Sequence, residues 1–143
     1  MPIQYRAFEN DDYVQARALW EATPGVGLSN ADAPDAIRAF LARNPGTSFV
    51  AVEGDVLVGT ILCGHDGRRG LIHHLVTATS HRRLGVGTSL LRAGLKSLRK
   101  CGIDKCHLLV FHSNSTGLNF WRGVAAQERT ELALFSLPTE NAG

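Results

Sequence analysis

His81-Arg82-Arg83-Leu84-Gly85-Val86-Gly87 is the stretch on which the fold turns. It stands between an apolar, β-branched run, Leu71 to Thr77, and a segment whose Leu90, Leu91, Leu95 and Leu98 recur at the spacing of one helical face. A basic, glycine-punctuated loop that leaves a strand and enters a helix exposes unpaired backbone N–H groups at the helix start, where the macrodipole favours negative charge. Gly85 and Gly87 carry no Cβ, so a bulky diphosphate can approach the main chain, while Arg82 and Arg83 add charge-assisted hydrogen bonds. The plain alternative is a glycine-containing connection that only makes a tight turn. Two familiar nucleotide loops do not fit. No Lys-Ser/Thr pair follows Gly87 as a P-loop requires, and Leu90 stands where the third glycine of a Rossmann loop would fall.

Working outward, the elements alternate without repeats, low-complexity tracts or linkers, which predicts one domain over residues 1–143. Ile3 to Phe8 reads as a strand, and Asn10, Asp11 and Asp12 offer cap oxygens to a helix through Val14, Ala18, Leu19 and Trp20 that Thr23-Pro24-Gly25 stops. A second helix follows Asn30-Ala31-Asp32, with Pro34 near its start and Ile37, Phe40 and Leu41 on its buried stripe. Ser48–Glu53 and Val56–Cys63, joined by Gly54-Asp55, read as a hairpin; Gly59 inside the second arm marks a bulge or a close backbone neighbour. Beyond the loop and its helix, Lys105 to Phe111 reads as a strand, Ser113 or Asn114 caps a last helix through Leu118, Phe120 and Trp121, and Glu131 to Leu137 reads as a closing strand. The order predicts an α+β fold: a mixed, mostly antiparallel sheet flanked by about four helices.

This arrangement resembles the GNAT family (Gcn5-related N-acetyltransferases) from about Ile3 to about Leu137. The family's Arg/Gln-x-x-Gly-x-Gly/Ala motif is matched by Arg82-Arg83-Leu84-Gly85-Val86-Gly87, and an element of Asn followed at fixed spacing by Phe-Tyr is similar to Asn114 through Phe120-Trp121. The resemblance implies a GNAT-like domain whose sheet splays between strands 4 and 5, and an enzyme that passes the acetyl group of acetyl-CoA to an amine, with no metal. Acetyl-CoA is then the acyl-donor substrate. Leu75, Val76 and Thr77 would meet the pantetheine arm, which can add to the opened strand like a short strand of its own. Arg82, Arg83, Leu84, Gly85, Val86, Gly87 and Thr88 would hold the diphosphate, and Asn114 and Trp121 would complete the cofactor side. The N–H groups of Leu75 and Val76 would stabilise the oxyanion formed on amine attack.

An incoming amine is protonated near neutral pH and must lose a proton, a task that suits histidine. His73 and His74 are adjacent on the fourth strand, so their side chains are expected on opposite faces, one of them toward the cleft. His73 is favoured by the family pattern; a packed structural role for each remains the alternative. His65 and His112 are weaker candidates, His81 is assigned to the phosphate loop and His107 to the sheet. At the position where many GNAT enzymes carry a tyrosine acid stands Trp121, whose indole N–H is no practical proton donor. That departure, with Val124-Ala125-Ala126 where the family has a Leu-Gly-Phe segment, leaves a non-catalytic acyl-CoA-binding or regulatory domain as the rival reading.

Composition bounds the partners. The chain has 143 residues, 44% hydrophobic and 20% charged, with a formal net charge of +2, too small by itself to imply a nucleic-acid surface, so no nucleic-acid partner is expected. No apolar run reaches bilayer length and no signal-peptide pattern opens the chain, so the expected location is cytoplasmic, with no membrane partner. Cys63, Cys101 and Cys106 form neither a CxxC pair nor an even framework and are expected as free thiols. Homodimers are common among such domains and are allowed for here, whereas the acceptor side, Pro24–Pro34 and Glu128–Leu137, shows no pattern that selects one amine.

Overall fold

The structure is a computed structural model that describes residues 1–142. Five strands form one sheet in the order β1-β2-β3-β4-β5. They are β1 (Ile3–Ala7), β2 (Phe49–Glu53), β3 (Val56–His65), β4 (Gly70–Thr77) and β5 (Cys106–Leu108), the first four antiparallel and the last pair parallel. Helices α1 (Tyr13–Ala22) and α2 (Pro34–Arg43) connect β1 to β2, α3 (Val86–Lys100) connects β4 to β5, and α4 (Ser115–Gly123) follows β5. This is the expected α+β class with its mixed, mostly antiparallel sheet and four helices.

Each sheet face carries its own core. On one, the stripe of α3 sets Leu90, Leu91 and Leu98 against Val58, Ile61, Cys63 and Ile72. On the other, Trp20 of α1 and Ile37 of α2 pack on Val50, Val52, Leu62 and Val76. Trp20 is fully enclosed and its Nε1–H donates to Thr60 Oγ1 at 2.9 Å, so a large apolar side chain is buried without stranding its polar end. Arg6 of β1 grips Asp12, just before α1, through two hydrogen bonds of 2.7 and 2.8 Å, which fixes the exit of the first strand. Gly59 has both properties expected of it: a Cβ there would meet Leu90, Val86 and the Val76 carbonyl at 3.0–3.2 Å, and the neighbouring Val58 is the extra residue in the β2–β3 register.

Three expectations are corrected. Leu95 lies on the rim of the α3 stripe, 41% exposed, because at about 100° per residue it falls beyond the arc that buried Leu90, Gly94, Leu98 and Leu91 occupy. The strand expected over Lys105–Phe111 is paired only at Cys106–Leu108, because its parallel partner β4 turns away after Ile72; Leu109 and Phe111 are exposed. Glu131–Leu137 forms no strand: Leu132, Leu134, Phe135 and Leu137 all stand in solvent, with no sheet edge of their own chain against them.

Candidate functional site

The site is a split in the sheet beside an uncapped helix start. Parallel pairing joins Gly70, Ile72 and the residue between them to Cys106–Leu108 and ends there, so His73, His74, Leu75, Val76 and Thr77 have no strand on their β5 side. A strand edge left open within a sheet holds backbone donors and acceptors that an extended, amide-bearing ligand arm can satisfy. At the end of this open stretch a short helical turn, Thr79–His81, leads into the loop.

The loop reaches α3 through two left-handed residues, Arg83 at φ 65° and Gly85 at φ 79°. Gly85 is the N-cap and offers no side-chain acceptor, and no acidic residue lies in the first turn of α3. The amides of Val86, Gly87 and Thr88 therefore head a 15-residue helix without a capping side chain. By contrast, α4 is capped by Asn114, whose Oδ1 accepts from Gly117 N at 3.0 Å. Arg82, Arg83, Leu84 and Gly85 are exposed, and among the described residues neither arginine is committed to an ion pair. Two free guanidinium groups beside unpaired helix amides suit a diphosphate. The two glycines differ in their reason. A Cβ on Gly85 would meet nothing within 4 Å, so glycine serves the backbone conformation; a Cβ on Gly87 would meet Phe120 of α4 at 3.2 Å, so glycine serves close packing across the split.

The histidines depart from expectation. Adjacent strand residues should face opposite ways, yet the rings of His73 and His74 lie 6.5 Å apart, both on the α1–α2 side. The cause is a bulge: Leu62 pairs with His73 and Thr60 with Val76, so two residues of β4, His74 and Leu75, stand opposite Ile61 alone. His74 takes the left-handed conformation, φ 47°, that a bulge usually assigns to glycine. From there the phase is reversed: Leu75 leans on the α3 core and Val76 is buried in the α1–α2 core.

Contacts from three other elements hold His74 in place. Its Nε2 lies 2.6 Å from Asp32 Oδ1, its ring is 4.6 Å from that of Trp20, and its carbonyl accepts from Thr60 Oγ1 at 2.8 Å. Asp32 Oδ2 accepts the Ser29 amide in a capping box, and its own carbonyl accepts from the Tyr13 hydroxyl. His73 keeps a solvent-exposed edge and leans on Phe40, ring centroids 6.1 Å apart. Desolvation where it leans on the sheet, followed by the charge of His74, pushes its pKa below the usual histidine value, against a smaller upward pull from Asp32. A neutral imidazole at the mouth of the split is fit to accept a proton.

The remaining residues are placed as follows. Trp121 packs edge-to-face on Phe120, centroids 5.1 Å apart, against the α3 core. Asn114 also lies against Gly25, and Phe111 against Gly27, so the connection between α1 and α2 closes over the outer end of the split. His81 pairs with Glu53 at 3.4 Å, His65 Nδ1 accepts the Gly67 amide in a turn, and His112 is exposed. Asp32, Tyr13, Trp20 and Thr60 were not among the sequence candidates. The only trace of Asp32 is the Ser29-x-x-Asp32 spacing, which reads as a helix cap and not as a partner for a histidine 42 residues away. Among the described residues no cluster of three His, Cys, Asp or Glu side chains is placed to hold a metal, and no helix is long and apolar enough to cross a membrane.

Comparison with known proteins agrees with this geometry. The sequence pattern described as the acetyltransferase (GNAT) family matches residues 13–124. An acetyltransferase of Photorhabdus laumondii subsp. laumondii is 29% identical over 139 residues, 94% of each chain. Among solved structures, Ard1 from Thermoplasma volcanium superposes with a TM-score of 0.76 at 18% identity, covering 87% of this chain and 82% of that one. The PaiA N-acetyltransferase of Thermoplasma acidophilum, solved in complex with coenzyme A, gives 0.73 at 20% identity, covering 87% and 89%. At these identities the structural likeness is one of fold.

Proposed function

Since the chain belongs to the acetyltransferase (GNAT) family, we propose that residues 1–143 act as one catalytic domain that transfers the acetyl group of acetyl-CoA to an amine, of a small molecule or of a peptide or protein. The observation that carries this reading is the split itself: β4 loses its parallel partner after Ile72, and its open edge runs directly to the uncapped start of α3. Arg82, Arg83 and the amides of Val86, Gly87 and Thr88 bind the diphosphate, with Leu84 and Gly85 shaping the loop. Leu75, Val76 and Thr77 bind the pantetheine arm through their main chain. The Leu75 and Val76 amides face the growing negative charge on the acetyl oxygen.

His73 takes the proton that the attacking amine loses, and its depressed pKa keeps it neutral for that purpose. The C–N bond forms, the C–S bond breaks and the electron pair leaves on sulfur. A thiol of pKa about 8.5 departs as thiolate without an obligatory acid, so Trp121 in place of tyrosine does not block the reaction. Asp32 and His74 are positioning residues: the 2.6 Å contact fixes the bulge that turns His73 and His74 to one side. The protein works in the cytoplasm, where acetyl-CoA is made and used.

Calorimetry with CoA and acetyl-CoA, followed by thiol release in the presence of an amine panel, tests the proposal. Saturable CoA binding with thiol release above the buffer rate supports it. Binding without turnover on any amine supports the non-catalytic rival, and no measurable CoA affinity refutes both.

A further inference from the structure

The net charge of +2 conceals two stretches of opposite sign. Residues 1–66 carry four Lys or Arg against nine Asp or Glu, whereas residues 67–127 carry ten against one, Asp104. The fold gathers part of that excess on one helix. Arg92, Lys96, Arg99 and Lys100 all belong to α3, which has no acidic residue along its 15 positions. At about 100° per residue the four fall within about 100° of arc, opposite the face that buries Leu90, Leu91, Gly94 and Leu98. Ser89 is the one other residue on that arc. All four cations are exposed, and among the described residues none stands in an ion pair. Asp104 is already taken by Arg69 at 3.0 Å.

CoA does not account for this face. Lys96, Arg99 and Lys100 lie roughly 15–21 Å along the helix from its start, farther than the screening length of about 8 Å at physiological ionic strength. A protein partner matches poorly, because interface cores are apolar and depleted in lysine, and the arc carries no apolar side chain. An anionic membrane gains much of its hold from inserted apolar side chains, which the arc also lacks. Phosphate backbone needs neither. Arg92 to Lys100 span roughly 12 Å, over which a duplex presents about seven phosphates, one per roughly 1.7 Å of its axis. Because α3 lies against β2, β3 and β4, its arc meets a duplex from outside the grooves and reaches phosphates rather than base edges. The arc has no aromatic side chain on which an unpaired base could stack, so paired strands suit it better than a single one.

We propose that the exposed face of α3 is a docking surface for the phosphate backbone of a nucleic-acid duplex, held through Arg92, Lys96, Arg99 and Lys100 without regard to base sequence. The surface is separate from the split and from the phosphate loop, so it places the enzyme on a polyanion while leaving the acetyl-transfer site open.

Fluorescence anisotropy of labelled duplexes of about 20 base pairs, titrated with the full chain, tests this. We expect dissociation constants of about 10⁻⁶–10⁻⁴ M at physiological salt. Four neutralised phosphates give a slope of log affinity against log salt of about −3.6, so affinity should fall by about 150-fold between about 50 and 200 mM salt. Two unrelated DNA sequences and an RNA duplex should agree within about tenfold, since only phosphates are touched. Lys96→Gln combined with Lys100→Gln keeps helix propensity and should halve the slope to about −1.8, with thermal unfolding and CoA affinity unchanged. Arg38→Gln, on the exposed side of α2, should leave duplex binding as it is. Absence of saturable binding at about 50 mM salt leaves a merely solvated face and overturns the proposal, as does an unchanged slope in the double variant. Tighter binding to a poly-glutamate peptide or to vesicles of anionic lipid than to the duplexes overturns it in favour of a protein or a membrane. A preference above about tenfold for one sequence or one sugar overturns contact by backbone alone.

Discussion

Replacing Gly85 with alanine tests the phosphate loop in a way that separates conformation from bulk. Gly85 has φ 79°, and a Cβ there would meet nothing within 4 Å, so the only direct cost of Ala is that of a left-handed L-residue, about 1–2 kcal/mol. A matched control lies at the other end of the same helix: Gly102 has φ 83° and equally open surroundings. The two sites differ in what holds the backbone. Gly102 lies in the C-terminal turn of α3, where its N–H donates to Arg99 O at 2.9 Å and the next amide, Ile103 N, donates to Leu98 O at 3.0 Å with the Ile103 side chain buried, so its strain must appear in folding stability. Arg82 to Gly85 are all exposed, and Gly85 is tied to α3 by its carbonyl, which accepts from Ser89 N at 3.0 Å beside buried Val86, so an alanine there relaxes toward negative φ at a partial cost in folding stability and takes the amides of Val86, Gly87 and Thr88 out of the geometry a ligand recruits.

Gly85→Ala should therefore weaken CoA binding by about 5–30-fold, the equivalent of 1–2 kcal/mol, with a stability loss smaller than that of Gly102→Ala. Gly102→Ala should lose about 1–2 kcal/mol of unfolding free energy and bind CoA as wild type does. Titration calorimetry and urea unfolding measure the two quantities. CoA affinity in Gly85→Ala within twofold of wild type would refute the assignment of this loop to the diphosphate.

His73→Ala should slow turnover by about 10²–10⁴-fold with CoA affinity unchanged. Because folding lowers the His73 pKa, the unfolded chain binds its proton first as pH falls through the ordinary histidine range; His73 thus subtracts stability below about pH 6.5, and unfolding curves of His73→Ala should be flatter there. Gly94→Ala places a Cβ 2.7 Å from Cys63 Sγ and 3.2 Å from Ile61 Cδ1; overpacking of about 1–3 kcal/mol outweighs about 1 kcal/mol of helix propensity, so the variant should be less stable, and a double-mutant cycle with Cys63→Ala should recover at least about 1 kcal/mol. Arg6→Ala should cost about 1–3 kcal/mol, discounted for the partly exposed arginine. Burial alone would raise the Asp12 pKa, but the Arg6 hydrogen bonds, the Glu9 amide and the Arg6 charge together lower it. That stability is complete above the usual carboxylate range and is lost as pH falls through the depressed pKa, so acid unfolding of the variant should be the shallower one.

Most of the fold was legible because its signals are local. The helices that follow Asn10–Asp12 and Asn30–Asp32, the Gly54-Asp55 hairpin and the Arg82–Gly87 loop are set within a few residues and lie where expected, but the acidic residues before α1 cap no helix amide: Asn10–Asp12 and Asn30–Asp32 form short helical turns of their own, and neither α1 nor α2 has a side-chain cap hydrogen bond. The errors concern partners. The run Lys105–Phe111 has strand composition throughout, yet a strand ends where its neighbour ends, and β4 leaves it after Ile72. Glu131–Leu137 likewise has the composition of a strand and nothing in its own chain to pair with.

The site hides its decisive feature for a deeper reason. A bulge in β4 is announced in sequence by a glycine able to take positive φ, and Ile72-His73-His74-Leu75 contains none; the left-handed position is filled by His74. Such a conformation costs about 1–3 kcal/mol and persists only where the surroundings over-determine it. Here those surroundings are Asp32, 42 residues away, Thr60, 14 residues away, and Trp20, which reaches Thr60 across 40 residues. None of these separations has a sequence period, so alternation put His73 and His74 on opposite faces while tertiary contacts put them on one. It follows that the strain at His74 and the convergence of the histidines are one property: a chain that lost the Asp32 and Trp20 contacts would be free to straighten β4, and His74, Leu75 and Val76 would then each turn to the other face, leaving Val76 outside the core that now buries it.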